Sequence, residues 1–111
     1  MIYLACPYAH QNPLVIKARV LAITKVAAAL MHEGHVVFSP LTMSHYIDKY
    51  GNFPRTWEFW QTIDLPFLAN CDALYILTLP GWEQSVGVNG EIEFANMNEI
   101  PITYIKYEDY K

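Results

Sequence analysis

Basic charge is scarce in this chain. Seven Lys and Arg residues stand against eleven Asp and Glu in 111 residues, for a formal net charge of −4. The basic residues are scattered, which argues against a nucleic-acid duplex or an acidic membrane surface as the main partner. Cysteine is limited to Cys6 and Cys71, which form no CxxC pair. Two isolated thiols in an otherwise ordinary core suit a reducing compartment, so a cytoplasmic protein is expected. No apolar run reaches the about 18 residues that a membrane-spanning helix needs. The opening residues read as a strand rather than as a secretory leader. GxGxxG, GxSxG and Walker-type loops are all missing, and nothing suggests dinucleotide binding. With no repeats or linkers either, a single domain over residues 1–111 is expected.

What is abundant is apolar surface. Hydrophobic residues make up 53% of the chain and charged residues only 16%. That is rich for so small a molecule. It predicts that some aromatic or aliphatic surface is buried against another copy, giving a homodimer or larger homo-oligomer.

The apolar residues fall into alternating strand and helix patterns. Met1–Cys6 is a short apolar run ended by Pro7, and it reads as a buried strand. Pro13 opens a helical pattern from Leu14 to Glu33, closed by Gly34. His35–Phe38 reads as a second strand. Leu41–Phe53 is polar and aromatic, either a substrate wall or a surface loop. Pro54–Asn70 reads as a helix that starts late or bends at Pro66. Ala73–Leu79 is a third strand, a helix follows from about Val88 to Asn98, and Pro101–Ile105 is the last strand. Strands apolar throughout and alternating with helices predict an α/β fold. It would be a three-layer, flavodoxin/Rossmann-like parallel sheet of 4–5 strands with helices on both faces.

In such sheets ligands bind beyond the carboxyl ends of the strands, where the strand order reverses. Three segments should converge there: Cys6-Pro7-Tyr8, Ser39-Pro40, and Pro80 to Glu91. The last is a turn leading into a helix, whose free N–H groups and dipole suit an anion. Glu91 is expected in the first helical turn, where the dipole keeps it ionised. Glu91 and Glu93 are two residues apart and point in different directions, so one at most faces the cleft, and Glu91 is favoured. Asp64 lies among aromatics in Phe59-Trp60-Gln61-Thr62-Ile63-Asp64-Leu65; it is either solvent-facing or held by a partner. His10 and His45 fall in cleft-side loops within reach of a substrate. The histidine spacing gives no zinc site. Cys6 reads as a small core residue rather than a nucleophile.

Ile2-Tyr3-Leu4-Ala5-Cys6-Pro7-Tyr8 resembles the opening strand and loop of nucleoside 2-deoxyribosyltransferases and their nucleotide N-hydrolase relatives. Ser85-x-Gly87-Val88-x-x-Glu91-Ile92-x-x-Ala95 resembles the segment that carries their nucleophilic glutamate, and Asp64-Leu65 their second acidic residue. Pro80–Ser85 is closer to a bacterial and phage branch, the domain of unknown function DUF1937. The resemblance implies a catalytic set of Glu91 as nucleophile, Tyr3 orienting it, and Asp64 near the leaving base. Ser85 stands where the transferases tend to be acidic and the hydrolases tend to carry serine, which tilts the expected substrate toward a 5′-phosphate. The hydrolases' Arg-containing loop after the first strand is absent; either His10 or Lys17 replaces its phosphate contact or the substrate differs. Candidate substrate-binding residues are Ser85, Gly87, Asn89, Pro7, Tyr8, His10, His45 and Trp60. The implied reaction is N-glycosidic cleavage of a nucleoside or nucleotide, with no metal or organic cofactor. A non-catalytic nucleotide sensor is the alternative, and a same-fold enzyme acting on another ribosyl bond, such as a nicotinamide-containing one, is a third.

Overall fold

A computed structural model describes residues 1–110. Four strands form one all-parallel sheet in the order β2-β1-β3-β4. They are β1 (Ile2–Ala5), β2 (Val37–Phe38), β3 (Ala73–Leu77) and β4 (Ile102–Ile105). Tyr3 pairs with Phe38 on one side and with Leu74 on the other, and Leu74 in turn pairs with Ile102. Four α-helices connect the strands: α1 (Pro13–His32), α2 (Pro40–Gly51), α3 (Trp57–Ala69) and α4 (Val86–Met97).

Three of the four α-helices, α1, α3 and α4, begin with a side-chain cap. Asn12 accepts from the Leu14 N–H and Pro13 takes the first turn of α1, where its missing N–H costs nothing. Thr56 caps α3 and Ser85 caps α4 through their hydroxyl oxygens. Gly34 follows α1 with φ +95°, a left-handed conformation that closes the helix without a side-chain clash.

The two central strands, β1 and β3, are covered on both faces, hence their unbroken apolar runs. Leu4, Cys6 and Leu77 pack against Ile23, Val26 and Leu30 of α1 on one face. Tyr3, Ala5, Leu74 and Ile76 pack against Leu68 of α3 and Val88 and Ala95 of α4 on the other. The result is three layers. No helix among the described residues is long and apolar enough to cross a membrane.

Several boundaries differ from expectation. β2 keeps only two residues, and β3 ends at Leu77 rather than Leu79. The stretch Leu41–Phe53 is the helix α2, with Pro40 in its first turn and Asn52 closing it at φ +50°. α4 starts at Val86, so Glu91 is its sixth residue and sits in the second turn. The dipole argument for an ionised Glu91 therefore fails, because that field fades beyond the first turn.

Candidate active site

β1 sits between β2 and β3, so the chain reverses direction across the sheet at the β1/β3 junction. A cavity of about 720 Å³ opens beyond the carboxyl ends of these two strands. The loop after β1 lines it with Pro7, Tyr8 and His10; α2 adds Leu41, Ser44 and Asp48; α3 adds Trp57, Trp60 and Asp64; the start of α4 adds Ser85, Gly87 and Glu91. The polar stretch that became α2 is thus a wall of the cleft.

Glu91 is a buried carboxyl in the lining of this cavity. It is buried, with 5% of its surface exposed, and the Tyr3 hydroxyl donates to its Oε2 from beneath. Tyr3 itself is fully buried in β1 and does not line the cavity. Burial pushes the Glu91 carboxyl up to about 8; the Tyr3 hydrogen bond opposes this, and the nearby Asp64 charge adds to it. Asp64 is raised to about 6, also by burial. Its Oδ1 is buried with no hydrogen-bond partner. A carboxyl oxygen left unpaired is costly unless a ligand supplies the missing partner.

The expected residues divide. Pro7, Tyr8, His10, Trp60, Asp64, Ser85, Gly87 and Glu91 share the cavity wall. His45 does not: its Nδ1 lies 3.1 Å from the Tyr8 hydroxyl, behind the wall. Asn89 is exposed and outside the lining, its amide donating to the Glu83 and Ser85 carbonyls. Lys17 is exposed and also outside the lining. Cys6 lines the cavity but is buried, with its thiol pKa pushed far up, so it holds its proton.

Arg19 and Trp57 are among the lining residues that the sequence does not single out. Arg19 was one more polar position on α1. Its guanidinium donates to the carbonyls of Tyr8 (3.3 Å), Ala9 (3.0 Å) and Pro80 (2.9 Å), tying the loop after β1 to the turn before α4. Trp57, one of the apolar positions of the Pro54–Asn70 helix pattern, also borders the cavity. Neither role leaves a periodic signal. Among the described residues no group of three His, Cys, Asp or Glu is placed to hold a metal ion.

The family described as "Domain of unknown function (DUF1937)" matches residues 1–107. No curated protein matches the chain.

Proposed function

We propose that this chain, which belongs to the DUF1937 family, cleaves the N-glycosidic bond of a nucleoside or nucleoside 5′-monophosphate through Glu91. One observation carries the reading: the Tyr3-held Glu91 and Asp64, whose Oδ1 has no hydrogen-bond partner, line one cavity. The resemblance to nucleoside 2-deoxyribosyltransferases and nucleotide N-hydrolases supplies the chemistry. Glu91 attacks the anomeric carbon as the bond to the base breaks. The bonding electrons leave with the base, and Asp64 supplies its proton. Water then attacks the same carbon, returns a proton to Asp64 and frees Glu91; in a transferase a second base takes the place of water. Paired carboxyl groups of this kind stabilise an oxocarbenium-like state and help the leaving group depart.

Ser85 favours the phosphorylated substrate and hydrolysis. Its hydroxyl oxygen caps the Val88 N–H, and Ser85 and Gly87 line the cavity at the positive end of α4. The guanidinium of Arg19 lies in the same wall and supplies the positive charge that the loop after β1 lacks.

A second reading rests on the raised Glu91 carboxyl. At neutral pH it is mostly protonated in the free protein, as suits a group that only hydrogen-bonds a ligand. The protein would then be a nucleotide sensor. A release assay separates the two. Native and Glu91→Gln proteins are incubated with a panel of nucleosides and 5′-monophosphates, with and without a second free base. Base release by the native protein alone is the expected result. Exchange without net release would make it a transferase. Silence from both forms, with a nucleotide still raising both melting temperatures, would establish the sensor.

A further inference from the structure

Trp57 is the first residue of α3, and its indole lies across two glycines of α4. A methyl group at Gly90 would stand 2.5 Å from the indole Cε2 and Nε1. At Gly87 it would stand 3.6 Å from Cε3. No real methyl group tolerates the first distance, so the ring occupies the space that a side chain at position 90 would fill. Gly87 and Gly90 are three apart on one helix and form a shallow groove for the ring. Trp57 also lines the cavity, as does Trp60. Glu91 follows Gly90 on the same helix, and Trp57 and Glu91 line the same cavity.

We infer that Trp57 is the platform on which a planar heteroaromatic leaving group stacks, and that Gly90 is the positioning residue that sets the depth of that platform. The inference rests on the N-glycosidase reading and deepens it. Three side chains near Glu91 could orient a base, and two, Tyr8 and Trp60, are held by other rings or loops. Trp57 alone is seated against the helix that carries Glu91. Its distance from the reacting carbon is therefore fixed by backbone rather than by a flexible loop. Moving the ring outward by one methyl group narrows the cavity and penalises two-ring bases more than one-ring bases.

The test is a double-mutant cycle read on kinetics and binding. Trp57→Leu should raise KM for a purine 5′-monophosphate about ten- to a hundredfold, the range for loss of one stacked base. Trp57→Phe should recover most of that loss. Gly90→Ala should lower kcat/KM for purine substrates several-fold more than for pyrimidine ones. In the Trp57→Leu background, Gly90→Ala should have little further effect on that ratio, because the ring it displaces is gone. Binding of inosine 5′-monophosphate and of ribose 5-phosphate to Glu91→Gln protein is measured by calorimetry alongside. The base-bearing ligand should bind more tightly, and Trp57→Leu should erase that difference. Base release that continues with an unchanged KM in Trp57→Leu overturns the platform but leaves the glycosidase reading intact. Absence of both release and nucleotide binding in the native protein overturns both.

Discussion

Two carboxyl groups titrating near neutrality set the pH behaviour of this site. Glu91 is raised to about 8 and Asp64 to about 6, both chiefly by burial. The proposed reaction requires Glu91 ionised and Asp64 protonated, the reverse of their order of ionisation. Below pH ~6 both groups hold protons, and the rate rises with pH as the first is lost. Between ~6 and ~8 one proton is shared by the pair, and a minor fraction of the molecules carries it on Asp64. Above ~8 both are ionised and the rate falls. The expected kcat/KM profile is therefore a plateau bounded by limbs near 6 and 8. Asp64→Asn should lower the rate by ~10²–10⁴, the usual worth of a general acid, and remove the alkaline limb. Its single rising limb should lie below 8, since the Asp64 charge no longer raises Glu91. The loss should shrink for a nucleoside whose base is already cationic, such as an N7-methylated purine, which departs without a proton. A descending limb that survives in Asp64→Asn would rule Asp64 out as the acid. The place of Glu91 in the cleft is legible in the sequence from its position after a strand and a turn. Its protonation is not, because burial is a tertiary property and α4 starts two residues earlier than the sequence suggests.

Arg19 shows how one side chain makes two loops into one wall. The loop after β1 and the turn after β3 each present main-chain carbonyls that face no strand, and the guanidinium of Arg19 collects three of them. Hydrogen bonds to a charged donor are worth more than neutral ones. Arg19→Met keeps the aliphatic stem but leaves those carbonyls to water. It should lower the denaturation free energy by on the order of 1–2 kcal/mol. It should also speed hydrogen exchange in both loops, Tyr8–Ala9 and Gly81–Ser85, and raise KM. Unchanged exchange in either loop would show that the brace is not what holds it. Such long-range polar contacts have no periodicity and are invisible in a single sequence. The strands were easier. Apolar runs ending at Pro7 and Pro80 located β1 and β3 because both faces of a parallel sheet are buried. α2 was harder, because its two faces invert the usual pattern. Leu41, Ser44 and Asp48 turn toward the cavity, while the more apolar face, Met43, Tyr46, Ile47 and Tyr50, turns to solvent.

That outward face of α2 is where the composition of the whole molecule finds its outlet. Met43, Tyr46, Ile47 and Tyr50 follow helical spacing, and Phe53 extends the stripe past the helix end. They are 37%, 64%, 49%, 84% and 38% exposed. At roughly 200 Å² per large side chain, these fractions leave about 500 Å² of apolar surface on each copy. Two such faces together reach the ~1,000 Å² that a specific interface needs. The stripe carries little charge: Asp48 turns inward beside Arg55, and Lys49 is the only other charged residue of α2. Tyr50 forms one side of a shallow hollow that Tyr46, Ile47, Gly51 and Phe53 also line. A two-fold axis would set each Tyr50 into the hollow of the other copy, a self-complementary contact that closes as a dimer. The opposite side of the same helix lines the cavity, so the contact would stiffen one wall of each site. Light scattering at ~50 µM should give twice the chain mass. Ile47→Glu with Tyr50→Glu should give the single-chain mass with the fold retained by circular dichroism. Met97→Glu, at a residue 77% exposed on α4, should leave the dimer intact. Single-chain mass for the native protein at that concentration would rule out this face as a self-interface.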